Sequence, residues 1–211
     1  MELTPEAGRV LGCLVEKQLT TPQAYPMTEN ALLAACNQTT SRDPVVQYDV
    51  ATVRLAVREL RQLDLLRTVH RPGERSEKHR HQLEESAGLS TAEQVLLALL
   101  LLRGPQTAAE LRARAERRHA FGAGAEVEAT LRALGERQEP LVELLARQPG
   151  QKEARYTDAV VATSPAPTLR LVADVEPTED APPLDVAQEL SALREEVAQL
   201  RAEVAELRAR S

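Results

Sequence analysis

Polar and apolar positions along the first sixty residues alternate at helical spacing, in three successive stretches. Thr4-Pro5-Glu6 has the form of a helix start, with Thr4 as cap, Pro5 in the first turn and Glu6 against the helix dipole. Val10, Leu11, Leu14 and Val15 form its apolar side, and the pattern stops near Thr20-Thr21-Pro22, since the residue before proline avoids the helical region. Thr28 caps a second helix carrying Ala31, Leu32, Ala35 and Cys36. A polar turn over residues 37–44 follows, longer than a simple helix-turn-helix needs. In the third stretch Val53, Val57, Leu60 and Leu63 recur at steps of four, three and three, one stripe of a helix. Arg54, Arg58 and Arg61 repeat on a neighbouring face. Residues 65–70, a turn at Arg71-Pro72-Gly73-Glu74 and residues 78–83 then predict a hairpin with a basic tip and return strand.

After Ser86-Ala87-Gly88 the same order begins again. Ser90 with Glu93, and Thr107 with Glu110, each make a capping box at a helix start. Val127, Leu131 and Leu134 face inward on the next helix, and residues 141–147, Pro149-Gly150 and 153–160 predict a second hairpin. The outer face of that third helix mixes Glu126, Glu128 and Glu136 with Arg132 and Arg137 and holds no arginine row. The expected fold class is therefore mainly α with small β-hairpins (α+β): two tandem winged helix-turn-helix domains plus a C-terminal coiled-coil helix. Domain 1 covers residues 1–86 and domain 2 residues 89–160. An acidic linker over 161–185, rich in proline, follows.

The tail over 186–211 has its own period. Val186, Leu190, Leu193, Val197, Leu200, Val204 and Leu207 step by alternating fours and threes, with glutamates at Glu189, Glu196 and Glu203 and arginines at Arg194, Arg201 and Arg208 on the flanks. Each flanking glutamate meets an arginine of the other strand in a parallel pair, whereas an antiparallel pair opposes like charges. A parallel coiled-coil homodimer is expected; the alternative is an amphipathic helix folding back on its own domains.

Composition narrows the function classes. The chain has 211 residues and a net charge of −6, which argues against a protein coated in nucleic acid. Between Arg54 and Arg80, however, eight Lys/Arg oppose four acids. Aromatics are confined to Phe121, Tyr25, Tyr48 and Tyr156, too few for base-stacking surfaces. Cys13 and Cys36 each sit in an apolar helical pattern and read as core thiols of a reducing compartment. No charged leader with an apolar run opens the chain, and residues 95–102 are apolar over too short a stretch to span a bilayer. A cytoplasmic protein without membrane contact is expected.

Several long segments carry a resemblance. Residues 11–26 (LGCLVEKQLTTPQAYP), 35–45 (ACNQTTSRDPV), 101–111 (LLRGPQTAAEL) and 126–131 (EVEATL), with Glu153-Ala154-Arg155-Tyr156, resemble the bacterial YceH-like family. The resemblance covers about residues 2 to 160. It implies two winged-helix domains and no activity, the family being of unknown function. It also implies a turn motif of unknown role, Asn37, Gln38, Arg42, Asp43 and Pro44, and wing residues Arg75, Lys78 and His79. Thr39-Thr40-Ser41 here replaces a stretch that commonly contains lysine in that family.

No Gly-rich phosphate loop, nucleophile elbow or metal-helix motif occurs, so no catalytic residue, cofactor or metal is expected and the protein is read as a non-enzyme. His79 and His81 share a strand face, with His70 across the hairpin, but no cysteine or carboxylate completes a recognisable metal spacing, and His79 is read as lying near phosphate or in solvent. Arg42 beside Asp43 is read as a turn-capping pair. The expected function is double-stranded DNA binding of a regulatory kind. Thr52, Arg54 and Arg58 would lie nearest base edges, with Arg61, Arg71, Arg75, Lys78 and His79 nearer phosphates. The rival is a protein-interaction adaptor, favoured by the net acidity and the heptad tail.

Overall fold

The computed structural model describes residues 2–70, 76–147 and 150–162. Helix α1 (Pro5–Thr20) starts where Thr4 accepts a hydrogen bond from the Ala7 amide, and ends at Thr21, whose amide returns to Lys17 O. A two-residue strand β1 (Met27–Thr28) leads into α2 (Glu29–Cys36), capped by Thr28. Helix α3 (Val50–Gln62), capped by Asp49, is followed by strands β2 (Leu66–Val69) and β3 (Lys78–His81). A short helix α4 (Leu83–Ala87) closes the first repeat at Gly88, whose φ of +61° is the left-handed conformation that glycine tolerates.

The second repeat runs α5 (Thr91–Arg103), α6 (Ala108–Ala115), α7 (Gly124–Gly135), β4 (Val142–Leu145) and β5 (Arg155–Asp158). Both capping boxes expected from the sequence are formed, Ser90 with Glu93 and Thr107 with Glu110. Sheet topology repeats as well. In the first repeat β3 lies between β1 and β2, antiparallel to both. In the second, β5 pairs antiparallel with β4 and takes a bridge from Gln106 on its other edge. The fold is thus α+β, helices with small antiparallel sheets.

The two repeats share one core within a single compact unit. Helix α1 is its centre: residues 7–16 are all buried, packed by α2 and α3 on one side and by α5 on the other. A Cβ at Gly12 would lie 2.9 Å from Leu102 Cγ, so only a glycine lets α1 and α5 approach this closely. Residues 95–102 of α5 are buried all round, which explains why its sequence shows an unbroken apolar run rather than a stripe. The ends of the unit also pair: the Leu3 amide donates to Val160 O at 2.6 Å and the Ala162 amide to Leu3 O at 2.7 Å. Among the described residues no helix is long and apolar enough to cross a membrane. The tail residues Val186, Leu190, Leu193, Val197, Leu200, Val204 and Leu207, and the linker before them, lie outside the described residues.

Candidate nucleic-acid interface

Helix α3 forms because its cap and its stripe agree. Asp49 Oδ1 accepts the Thr52 amide at 2.8 Å, and these backbone and side-chain bonds hold the Asp49 carboxyl below its usual range. Val53, Ala56, Val57 and Leu60 are buried against the core. Leu63, expected in that stripe, is instead 39% exposed, because it caps the helix where the chain turns through Asp64 at φ +55°. Hydrogen bonds from Thr4 to Glu59, at 2.8 Å from the amide and 2.6 Å from the hydroxyl, pin α3 to the start of α1.

The other side of α3 is open. Arg54, Leu55, Arg58 and Arg61 are exposed, with Leu55 at 60%. Arg54 Nε donates to Glu29 Oε2 at 2.7 Å, a solvated pair that competes weakly with any stronger anion. Arg58 and Arg61 have no partner among the described residues. Thr52, at the first turn, is half-buried.

The hairpin beside α3 is only partly as expected. Its register pairs Leu66 with His81 and Val69 with Lys78. Lys78 is half-buried and already engaged within the protein. Arg71 and Arg75, expected at the tip, lie outside the described residues. His79 is a correction: it is 5% exposed, its Nδ1 lies 3.2 Å from Thr68 Oγ1, and burial lowers its pKa, so it faces the interior and not a phosphate. Two residues on, His81 is buried on the same face and its pKa falls to about 4 through burial and the nearby Arg80. The His81 amide donates to the Tyr25 hydroxyl at 2.8 Å, and burial pushes that phenol up to about 12. Alternation along a strand put both imidazoles on one face; only packing decided that this face is the buried one. Among the described residues no three potential ligands gather to hold a metal ion.

The polar turn is a second correction. Arg42 does not cap the turn with Asp43; its side chain is fully buried and reaches Glu16 Oε2 at 2.6 Å. The same guanidinium donates to Ala35 O, Ser41 O and Gln38 Oε1 at 3.1, 2.9 and 2.9 Å. Asp43 stays exposed, its amide bonded to Leu102 O of α5 at 2.9 Å. Asn37 pairs with the Tyr48 backbone through both ends of its amide, each at 2.8 Å. Glu16 also receives Arg118 Nη2 at 2.7 Å from the second repeat. Burial raises the pKa of Glu16, but Arg42, Arg118 and Lys17 overcome it and leave the carboxyl below its ordinary range. Arg9, buried in α1, donates to Pro44 O at 2.6 Å.

Arg9 and Glu16 were not singled out from the sequence, and Arg118 was read there only as one of a cluster with Arg112, Arg114 and Arg117, open to phosphate or simply solvated. Glu16 and Arg118 are joined across 102 positions of chain, a separation that no local pattern encodes. The one hint was charge inside a stretch of α1 too apolar, and too rich in glycine, to face water.

Comparison with known proteins matches residues 3–151 to the family described as "Protein of unknown function, DUF480". A UPF0502 protein of Koribacter versatilis is 48% identical over 166 residues, covering 78% of this chain and 77% of the relative. One from Pelobacter propionicus is 52% identical over 156 residues, 74% of this chain and 71% of the relative. Another, from Opitutus terrae, is 46% identical over 191 residues, 88% and 80% of the two chains.

Proposed function

The chain belongs to DUF480, a family of unknown function, and from that premise we propose that it is a non-enzymatic, cytoplasmic, double-stranded DNA-binding protein of regulatory type. On this reading the two repeats are tandem winged helix-turn-helix units. Helix α3 enters the major groove, the β2–β3 hairpin is the wing, and the tail joins two copies through a parallel coiled coil. The observation that supports it best is the outward face of α3. Arg54, Arg58 and Arg61 stand exposed on a helix whose opposite side is buried, and Arg58 and Arg61 have no acid partner among the described residues. Guanidinium groups in that state can bind guanine edges or phosphates without first losing a partner.

The test is a gel shift of the full chain on duplexes selected from a random pool, at two salt concentrations. Binding through about six phosphates requires a loss of roughly 10³-fold or more between about 50 and about 200 mM salt. Selection that enriches no sequence, or affinity indifferent to salt, removes the proposal.

A second reading, a protein-interaction adaptor, draws on a different feature. A groove of about 760 Å³ on the second repeat is lined by Leu131, Pro140, Val142, Leu144 and Tyr156, and Leu144 is 55% exposed. Apolar surface of this kind is where protein partners dock. A stable protein complex recovered from cells, with no enrichment of DNA, favours that alternative.

A further inference from the structure

The polar turn that the DNA-binding reading leaves without a role forms one wall of an open cleft of about 580 Å³. The other walls are Glu16 and Lys17 of α1 and Arg118, just beyond α6. Its electrostatics are lopsided. Among the described residues Glu16 is the only carboxylate lining it, and Arg42 at 2.6 Å and Arg118 at 2.7 Å already share that carboxylate, with Lys17 at 3.9 Å. Arg103 lies close by: burial lowers its pKa first, then Arg114, Arg118 and Arg42, while Glu16 acts against them. Three cations, Arg42, Arg118 and Lys17, thus share this one carboxylate among the described residues, in a protein whose net charge is −6.

Donors remain unused there. Thr39 and Thr40 are exposed with no partner among the described residues, and Arg118, held by Glu16 and by Arg114 O at 3.0 Å, brings its charge to the wall. The turn is also tied down by hydrogen bonds within the protein. Arg42 ties it from inside through Ala35 O, Ser41 O and Gln38 Oε1, and Asn37 clamps it to Tyr48. Ser41 is held at φ +60°, an unfavourable conformation for a residue with a Cβ, which the surrounding bonds maintain. Binding here would not have to order a loop.

We propose that this cleft binds a free, phosphate-bearing small molecule, with its oxygens held by Lys17, Arg118 and the hydroxyls of Thr39 and Thr40. A phosphate monoester carries close to two negative charges and three acceptor oxygens at neutral pH, which suits an excess of cations better than a single carboxylate does. The volume falls within the roughly 300–1,000 Å³ of small-molecule sites. The site is independent of α3 and stands whether or not that helix binds DNA.

Pyrophosphate, titrated calorimetrically into the full chain at constant ionic strength, is the probe. Saturable binding is expected, weakened about tenfold or more by Lys17→Gln and unchanged by Arg67→Gln, an exposed cation on β2. In amide NMR spectra the Thr39 and Thr40 signals should move with the same saturation. No saturable binding, equal weakening by the two substitutions, or unmoved Thr39 and Thr40 amides each overturn the proposal. A short duplex in place of pyrophosphate should leave those amides unchanged; if it moves them, the cleft is a DNA contact and the small-molecule proposal falls.

Discussion

Helices α3 and α7 hold the same place in the two repeats and bury the same kind of stripe, Val53, Ala56, Val57 and Leu60 in one, Val127, Leu131 and Leu134 in the other. Their outer faces differ. On α3 three arginines stand exposed, and two of them have no partner among the described residues. On α7 the exposed positions include Glu126, Glu128 and Arg132, with Glu136 exposed at its C-cap, and Glu126 turns back to accept the Gly122 amide at 2.7 Å. The hairpins diverge in the same way. His81 opposes Leu66 in the first, and Asp158 opposes Val142 at the matching position of the second; burial lowers the pKa of the histidine and raises that of the aspartate. Buried stripes therefore set the element order, while faces that pack against nothing are free to take on different work. The first repeat presents open arginines on its third helix, and the second supplies α5 and Arg118 to hold α1 in place.

The largest effect should come at the point where that division meets, the Glu16 carboxylate. Glu16→Ala leaves Arg42, fully buried, and Arg118, 16% exposed, without their acid, at a cost of about 3–5 kcal/mol in urea unfolding of the full chain. A loss under about 1 kcal/mol would mean that water already screens the cluster and that the repeats do not depend on each other there. Next is the contrast between the third helices. Arg54→Ala combined with Arg58→Ala should weaken a selected duplex about 100-fold, roughly 2.7 kcal/mol, while Arg132→Ala on α7 leaves affinity unchanged. Equal losses from both would make the interface a diffuse field rather than one helix.

The smallest effect is a dependence on pH. His81 titrates at 6.5 when unfolded and at about 4 in the fold, so it stays neutral inside while the unfolded chain takes up a proton. Its contribution to stability is complete above pH 6.5 and declines as the pH falls toward about 4. The loss should be on the order of 2 kcal/mol, and His81→Leu should flatten that limb of a denaturation-midpoint profile. Asp158 acts with the opposite sign, because its raised pKa means the folded state holds the proton more tightly, so its own contribution improves as the pH falls. An unchanged slope in His81→Leu would show that the imidazole is reached by water after all.

Local signals carried a great deal. Thr4, Thr28, Ser90 and Thr107 cap helices as their positions predict, because a cap is a bond between a side chain and an amide three residues away. The repeated order of helices and hairpin, the buried run of residues 95–102 and the exposed arginines of α3 were all readable from spacing alone. Each of these depends on periodicity within one element, which the chain writes out directly. What only tertiary structure decided was where the polar exceptions go. Arg42 turns inward to Glu16 across 26 positions and Arg118 reaches the same carboxylate across 102, while His79 and His81 fall on the buried side of a strand whose two faces look alike on paper. A buried charge is tolerable only where its counter-charge arrives from elsewhere in the fold, and that meeting is a property of packing, not of any neighbourhood along the chain.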